Sequence, residues 1–237
     1  MRRAWICIMT LTLVGIAAAQ QPGSFPTAVS FATEDGWIIH GDLYGTGKHG
    51  VVLVHGGRFE KGSWQKQAQL LVKAGFCALA IDRRGFGLSK EGPPAARGDF
   101  GSPLDVLAAV RYLRKNGART VSVVGASMGG DAAEGALAEA GPDEIEGVVL
   151  LAHGAYGPPE KLKGRKLFIV SRDDLGPGDQ PRLTRIRAQY EQAPEPKELV
   201  ILEGSAHAQF IFQTDQGGRL MDEILKFLSE PSTAPYR

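Results

Sequence analysis

Short apolar runs alternate with amphipathic stretches along most of the chain. The runs are rich in Val, Leu and Ile, and such runs are typical of strands buried on both faces of a parallel sheet. They cover residues 50–55, 76–81, 121–124, 147–152, 167–171 and 198–202. Helix-like stretches lie between and after them, at 64–74, 103–115, 131–140, 181–192 and 214–228. This alternation predicts a mostly parallel sheet with helices on both faces.

The pattern differs at the N-terminal side of these runs. Thr27–Thr33 and Trp37–Tyr44 alternate between apolar and polar positions, and Glu34-Asp35-Gly36 separates them. Asp-Gly between two alternating segments is a hairpin signal. We therefore expect an α/β fold with a mostly parallel, doubly wound sheet that begins with an antiparallel hairpin. Because no repeat or second domain is evident, residues 27–230 are expected to form one domain.

Serine residues mark two of the helix starts. Ser63 directly precedes the helix-like stretch at 64–74 and is expected to cap it. Ser102 is followed by Pro103 at the first helical position and by Asp105 three residues after the cap. This combination predicts a capped helix start with an acidic residue in the capping box.

The first 19 residues have the composition of a cleavable signal peptide. An arginine pair precedes an apolar stretch over residues 4–16, and three alanines end at Ala19. Cleavage there would leave a disordered leader over residues 20–26 and no stable membrane insertion, so a secreted or periplasmic location is expected. The alternative is an uncleaved N-terminal anchor, although the stretch is shorter than the ~20 residues of a membrane span.

The charge balance bears on possible partners, and the cysteine content bears on disulfide formation. The chain has 27 Lys and Arg against 26 Asp and Glu, a formal net charge of +1, which gives no electrostatic reason to expect a nucleic-acid partner. Signal cleavage would remove Cys7 and leave Cys77, so no internal disulfide could form. Cys77 lies in an apolar run and is expected to be a buried, inert thiol.

The stretch Val121–Gly130 carries the most informative local pattern. Valine-rich residues predict a strand, Gly125–Gly129 has the pattern Gly-x-Ser-x-Gly, and helix formers follow. A strand, a tight turn and a helix in this order hold Ser127 above the end of a sheet as an exposed nucleophile. They also direct the N–H of Met128 and the positive end of the helix at the reacting oxygen.

A serine nucleophile needs a base, and the base needs an orienting carboxylate. Both residue types follow later strands of the predicted sheet, where the carboxyl ends of parallel strands gather. The order serine, acid, histidine is met by Ser127, Asp174 and His207. Asp173 is the adjacent alternative for the acid, whereas Asp179 is expected to cap the helix that begins near residue 181.

With these residues the chain resembles the α/β-hydrolases, from residue 55 to residue 207. The resemblance is carried by His55-Gly56-Gly57, by the Asp-x-Arg-Gly-x-Gly-x-Ser pattern of residues 82–89, and by the serine turn. It is also carried by Asp174 and by the Gly-Ser-Ala-His of residues 204–207. Serine replaces the glycine of the family's usual Gly-x-x-Asp at position 171.

The resemblance implies a role for each site residue. Ser127 would attack a carbonyl carbon, His207 would take and return the proton, and Asp174 would hold the imidazole tautomer. The backbone N–H groups of Gly57 and Met128 would form the oxyanion hole. No cofactor and no metal are expected, since the five histidines show no ligand spacing.

The other polar residues near strand ends are expected to be structural. This holds for His55. His153 is expected to line the site or to be structural, and His40 and His49 are expected at the surface. Arg58 has two interpretations, an anion-binding group or a side chain that is solvated or paired with Glu60.

The length of one predicted loop limits the class of substrate that we expect. Only residues 153–166 separate two strands where the family commonly inserts a cap, and two prolines and three glycines in this stretch disfavour a long helix. We expect an uncapped hydrolase, most simply a carboxylic ester hydrolase, that acts on small or flexible soluble acyl compounds or on an exposed ester of a larger molecule. The alternatives are a peptidase or thioesterase with the same three residues, or a non-catalytic binding protein of the same fold. The oligomeric state is left open.

Overall fold

The apolar runs form the strands of one sheet. The computed structural model describes residues 25–93, 102–155 and 157–230. Within them the strands are β1 (Thr27–Ala32), β2 (Ile38–Tyr44), β3 (His49–Val54), β4 (Cys77–Ile81), β5 (Thr120–Ala126), β6 (Gly147–Leu151), β7 (Arg165–Ser171) and β8 (Lys197–Leu202). Their order across the sheet is β1-β2-β4-β3-β5-β6-β7-β8.

The pairing directions confirm the predicted sheet. β1 pairs antiparallel with β2, and β2 pairs antiparallel with β4, while every pairing from β4 through β3 to β8 is parallel. The turn between β1 and β2 contains Gly36 at φ +87°, a backbone conformation that favours glycine. The crossover from β3 to β4 and back to β5 places β3 beside the strand that carries the serine turn, so residues 55–57 lie next to Ser127.

Helices cover both faces of this sheet. They are α1 (Gln65–Lys73), α2 (Pro103–Lys115), α3 (Met128–Glu139), α4 (Arg182–Gln192) and α5 (Gly217–Ser229). Side chains of α2, α3 and α4 such as Val110, Ala133 and Ile186 pack into one buried cluster. Side chains of α1 and α5 such as Leu71 and Ile224 pack into a second cluster on the other face. The doubly wound α/β arrangement is therefore confirmed.

Some of the predicted helix caps are wrong. Ser63 does not cap α1, because it lies inside a 3₁₀ turn over Lys61–Trp64 and its hydroxyl donates to the Glu60 carbonyl oxygen. The Ser102 cap is confirmed, since its oxygen accepts from the Leu104 N–H at 3.2 Å. Asp105 makes no capping box, because its carboxylate is bound to the backbone and guanidinium of Arg84 at 2.9 and 2.8 Å.

Several predictions concern residues that the structure does not describe. The predicted signal peptide over residues 1–19 and most of the predicted leader over 20–26 lie outside the described residues. In the described ranges, no helix combines the length and apolar character needed to cross a membrane. Cys77 is a free, buried thiol at the start of β4, as predicted, and its burial raises its pKa.

Candidate active site

Ser127 stands on a strained turn between β5 and α3. Its φ and ψ are 51° and −121°, in a region that residues with a side chain rarely adopt. The turn is also crowded on both sides. A Cβ at position 125 would come within 2.3 Å of the Gly129 carbonyl oxygen, and a Cβ at 129 within 2.3 Å of the Val54 carbonyl oxygen. Glycine is therefore required at both places, which accounts for the Gly-x-Ser-x-Gly pattern.

The turn brings the Ser127 hydroxyl to the histidine that follows β8. His207 Nε2 lies 2.8 Å from Ser127 Oγ, and His207 Nδ1 lies 2.7 Å from Asp174 Oδ2. One tautomer satisfies both contacts: Nδ1–H donates to the carboxylate, and the serine O–H donates to Nε2. The structure thus joins in one hydrogen-bonded chain three residues that lie far apart in the sequence, and their catalytic roles stay a prediction.

Asp174, rather than Asp173, faces the histidine. Asp174 is 1% exposed, and its backbone carbonyl accepts from the N–H of Arg182 at 2.9 Å. Asp173 is exposed, and its backbone N–H donates to the Gly204 carbonyl oxygen. Asp179 ends a 3₁₀ turn over Pro177–Asp179 and does not cap α4, which begins without a side-chain cap, so that expectation is wrong.

The two predicted oxyanion donors lie at the same pocket as Ser127. Met128 is the first residue of α3, so its N–H has no acceptor within the helix. Gly57 lies opposite, where an added Cβ would come within 2.6 Å of Met128 Sδ. Neither N–H has a hydrogen-bond acceptor among the residues that the structure describes. Both are therefore available to an oxygen at the serine, and this role also stays a prediction.

Gln209 is a buried polar residue that the sequence analysis missed. It is 4% exposed, its Oε1 accepts from the Gly56 N–H at 2.8 Å, and its Nε2 donates to Ser63 Oγ at 2.8 Å. Gln209 therefore ties the loop after β3 to the loop that carries His207. No local signal distinguishes it, because its partners are 153 and 146 residues away along the chain.

We expect that Gln209→Leu lowers kcat by about tenfold with little change in KM. The substitution leaves the buried Gly56 N–H without an acceptor, which costs about 1–3 kcal/mol and frees the loop that ends in the Gly57 donor. Gln209→Glu keeps an acceptor but buries a negative charge beside the Gly57 donor, so it should also lower kcat. Gln213→Leu is an exposed control in the same 3₁₀ helix, Ala208–Gln213. Equal kinetics for the Gln209→Leu and Gln213→Leu variants would contradict this.

The His55 ring makes two hydrogen bonds that hold the loop after β3. Its Nδ1 donates to the Gly56 carbonyl oxygen at 2.7 Å, and its Nε2 accepts from the Arg83 N–H at 3.2 Å. Burial lowers the pKa of His55 to about 4, so the ring is neutral at neutral pH and both contacts persist. The predicted structural role of His55 is confirmed.

His153 lies in a separate buried cluster behind α3. Its Nε2 contacts Gln189 Oε1 at 2.5 Å, and the Gln189 amide donates to Glu134 at 2.5 Å. Burial lowers the pKa of His153 to about 4 and raises the pKa of Glu134 to about 7. His153 is thus structural, as predicted.

The two early histidines, both expected at the surface, are partly buried. His49 begins β3, is partly buried, and places Nε2 2.9 Å from Ser122 Oγ of the neighbouring strand. His40 is partly exposed in β2. Neither approaches Ser127 among the contacts of the described residues.

An open pocket of about 430 Å³ surrounds the Ser127 hydroxyl. Its lining combines apolar side chains with two arginines, and it consists of Gly56, Gly57, Arg58, Phe59, Ser127, Met128, Leu175, Arg182, His207, Ala208 and Phe210. The ring centroids of Phe59 and Phe210 lie 5.0 Å apart. No group of three His, Cys, Asp or Glu side chains that could hold a metal exists in the described part of the chain.

Comparison with known proteins agrees with the fold described above. Residues 50–172, just over half of the chain, match the family described as alpha/beta hydrolase fold. A Synechocystis sp. protein with the provisional name non-heme chloroperoxidase is 33% identical over 104 residues, which is 43% of this chain and 36% of that protein. The chain thus spans about a third of that relative.

Solved structures share the fold over nearly the whole described chain. An esterase from Pyrococcus furiosus superposes with a TM-score of 0.73 at 20% identity, covering 88% of this chain and 94% of that chain. A bromoperoxidase from Bacillus anthracis superposes with a TM-score of 0.69 at 19% identity, covering 86% and 100%. At such identities the likeness establishes the fold alone.

Proposed function

The chain belongs to the alpha/beta hydrolase fold family, and from that premise we propose that it is a serine hydrolase that cleaves carboxylic esters. The observation that carries the proposal is the continuous chain of hydrogen bonds from Ser127 through His207 to Asp174, with distances of 2.8 and 2.7 Å. A non-catalytic binding protein of the same fold would not need this arrangement.

The first chemical step is acylation of the serine. Ser127 Oγ attacks the ester carbonyl carbon while its proton passes to His207 Nε2. The resulting imidazolium keeps its Nδ1–H on Asp174, whose negative charge stabilises it. His207 then gives the proton to the departing alcohol, which leaves Ser127 acylated.

The second step releases the acid. Water attacks the acyl carbon, His207 accepts the water's proton, and the proton returns to Ser127 Oγ as the acyl–oxygen bond breaks. In both steps the carbonyl oxygen becomes negatively charged. The Gly57 and Met128 N–H groups, together with the positive end of α3, stabilise that charge, and one such donor contributes about 3–4 kcal/mol.

Short, soluble esters fit the site best. Between β6 and β7 the described residues form a loop with one 3₁₀ turn, Pro159–Lys161, and no cap stands there. The pocket is open to solvent, and none of the helices in the described ranges covers it as a lid. These features support a substrate that diffuses in from water, as a secreted or periplasmic enzyme would meet it.

A panel of chromogenic substrates tests this proposal. We expect the purified protein to hydrolyse 4-nitrophenyl acetate and butyrate faster than the palmitate ester, because no cap in the described ranges shelters a long acyl chain from water. Matched thioester and peptidyl 4-nitroanilide substrates separate esterase activity from the thioesterase and peptidase alternatives. Preference for the long chain, with a rise in rate at its micelle threshold, would contradict the proposed substrate class.

A further inference from the structure

The charged side chains that line the pocket at Ser127 are mainly positive. Arg58 and Arg182 line it, and no Asp or Glu side chain does so among the residues that the structure describes. The pocket therefore presents two guanidinium groups to a ligand that approaches the serine. A cleft lined by one sign of charge concentrates ligands of the opposite sign.

The guanidinium of Arg182 forms one long ion pair within the described part of the protein. Its Nε lies 3.4 Å from Asp174 Oδ1, a long contact in which Nε makes no hydrogen bond. The same carboxylate is already engaged by His207 through Oδ2 at 2.7 Å. The side chain of Arg182 is 16% exposed, and no hydrogen bond of its terminal nitrogens exists in the described part of the chain.

Arg58 is the second group. It directly follows the predicted oxyanion donor Gly57 and is exposed. The alternative interpretation, a pair with Glu60, is not met, because no ion pair joins these two side chains in the described ranges. Arg58 therefore lines the pocket with a guanidinium that forms no ion pair within the described ranges.

Apolar side chains stand around the same pocket. Phe59, Phe210 and Leu175 line it, and Leu175 is 52% exposed. A ligand that uses the whole pocket would have a short apolar body and a negatively charged end. A guanidinium binds a carboxylate through two parallel hydrogen bonds, which selects this anion by shape as well as by charge.

We propose that the preferred substrate is an ester that carries a free carboxylate on a short apolar linker, held by Arg58 and Arg182. This inference rests on the proposed hydrolase function, since it names the substrate class of the same site. It adds two specificity residues, of which Arg182 also contacts the carboxylate of Asp174.

The test compares two esters that differ only in charge. They are the mono-4-nitrophenyl ester of trans-cyclohexane-1,4-dicarboxylic acid, whose ring holds its carboxylate away from the ester carbonyl, and the corresponding carboxamide, which is neutral and of nearly the same shape. We expect kcat/KM to favour the anionic ester by about tenfold or more, because a charge-assisted hydrogen bond has that magnitude. The preference should shrink in 1 M KCl, where the screening length falls to about 3 Å.

Variants assign the preference to the arginines. Arg58→Gln should lower kcat/KM for the anionic ester several-fold and leave the neutral ester within about twofold. Arg182→Gln alters a contact of Asp174 and should slow both esters, so its readout is the ratio between them, which should fall toward one. Arg187→Gln removes the same charge from an exposed position on α4 outside the pocket and should leave the ratio unchanged.

A binding measurement separates this inference from the proposed function. In the Ser127→Ala background the intact anionic ester should bind more tightly than the neutral one by calorimetry, and adding Arg58→Gln should remove most of the difference. Equal affinity and equal kcat/KM for the two esters would overturn the inference while leaving the hydrolase intact. Binding preference without any turnover would support the inference and count against the hydrolase.

Discussion

Replacing Ser127 with alanine is expected to lower kcat/KM for 4-nitrophenyl acetate by about five orders of magnitude. The substitution removes the nucleophile, so the acyl-enzyme cannot form, and His207 is left with no hydroxyl to deprotonate. Alanine keeps a Cβ at φ 51°, so it adds no crowding to the turn and the fold should persist. The measurement is steady-state hydrolysis, with the melting temperature of each variant as a check on folding.

Ser205→Ala is the matched control for this experiment. Ser205 is an exposed serine two residues before the histidine, in the same loop. Its hydroxyl takes no part in the chain of hydrogen bonds from Ser127 to Asp174, so its removal should change kcat/KM by less than about twofold. Retained esterase activity in the Ser127→Ala variant, in protein of unchanged melting temperature, would rule out the proposed nucleophile.

The adjacent aspartates should differ sharply when each is changed to asparagine. Asp174→Asn should lower kcat by about 10⁴-fold, because an uncharged amide cannot stabilise the imidazolium and can fix the wrong tautomer of His207. Asp173→Asn should have little effect, since that side chain is exposed and its hydrogen bond to Gly204 comes from the backbone. The measurement is kcat for each variant on one short ester.

The comparison has a built-in control, because both substitutions remove one negative charge from neighbouring positions. A general electrostatic effect on the pocket would lower both activities to a similar degree. An effect confined to Asp173→Asn, or shared equally by the two variants, would exclude Asp174 as the group that orients the base. Thermal unfolding of both variants separates lost chemistry from lost fold.

Features that depend on residues adjacent in the sequence could be predicted from it. The buried strands follow from uninterrupted Val, Leu and Ile runs, and the serine turn follows from glycines that the backbone itself requires at positions 125 and 129. The helix start at Ser102 likewise needs only a cap and a proline. Each of these sequence signals is local, although the crowding that requires glycine at position 129 comes from the backbone of β3 at Val54.

Features set by long-range contacts could not be predicted in the same way. Asp105 occupies a capping-box position, yet Arg84 takes its carboxylate because the chain brings the two together over 21 residues. No periodicity or motif surrounds Gln209 in the sequence. Its role comes from its hydrogen bond to the buried backbone N–H of Gly56, which lies in another loop. The choice between Asp173 and Asp174 needed the path of the backbone after β7, which decides which of two adjacent side chains is buried.

Covalent labelling of Ser127 is the most direct test of the proposed chemistry. The native protein is incubated with a fluorophosphonate, digested, and its peptides are sequenced by mass spectrometry. We predict one adduct per chain, on Ser127, absent in the Ser127→Ala variant and slowed in a His207→Ala variant. A folded protein that takes up no probe, or takes it up equally without Ser127, would contradict the proposal.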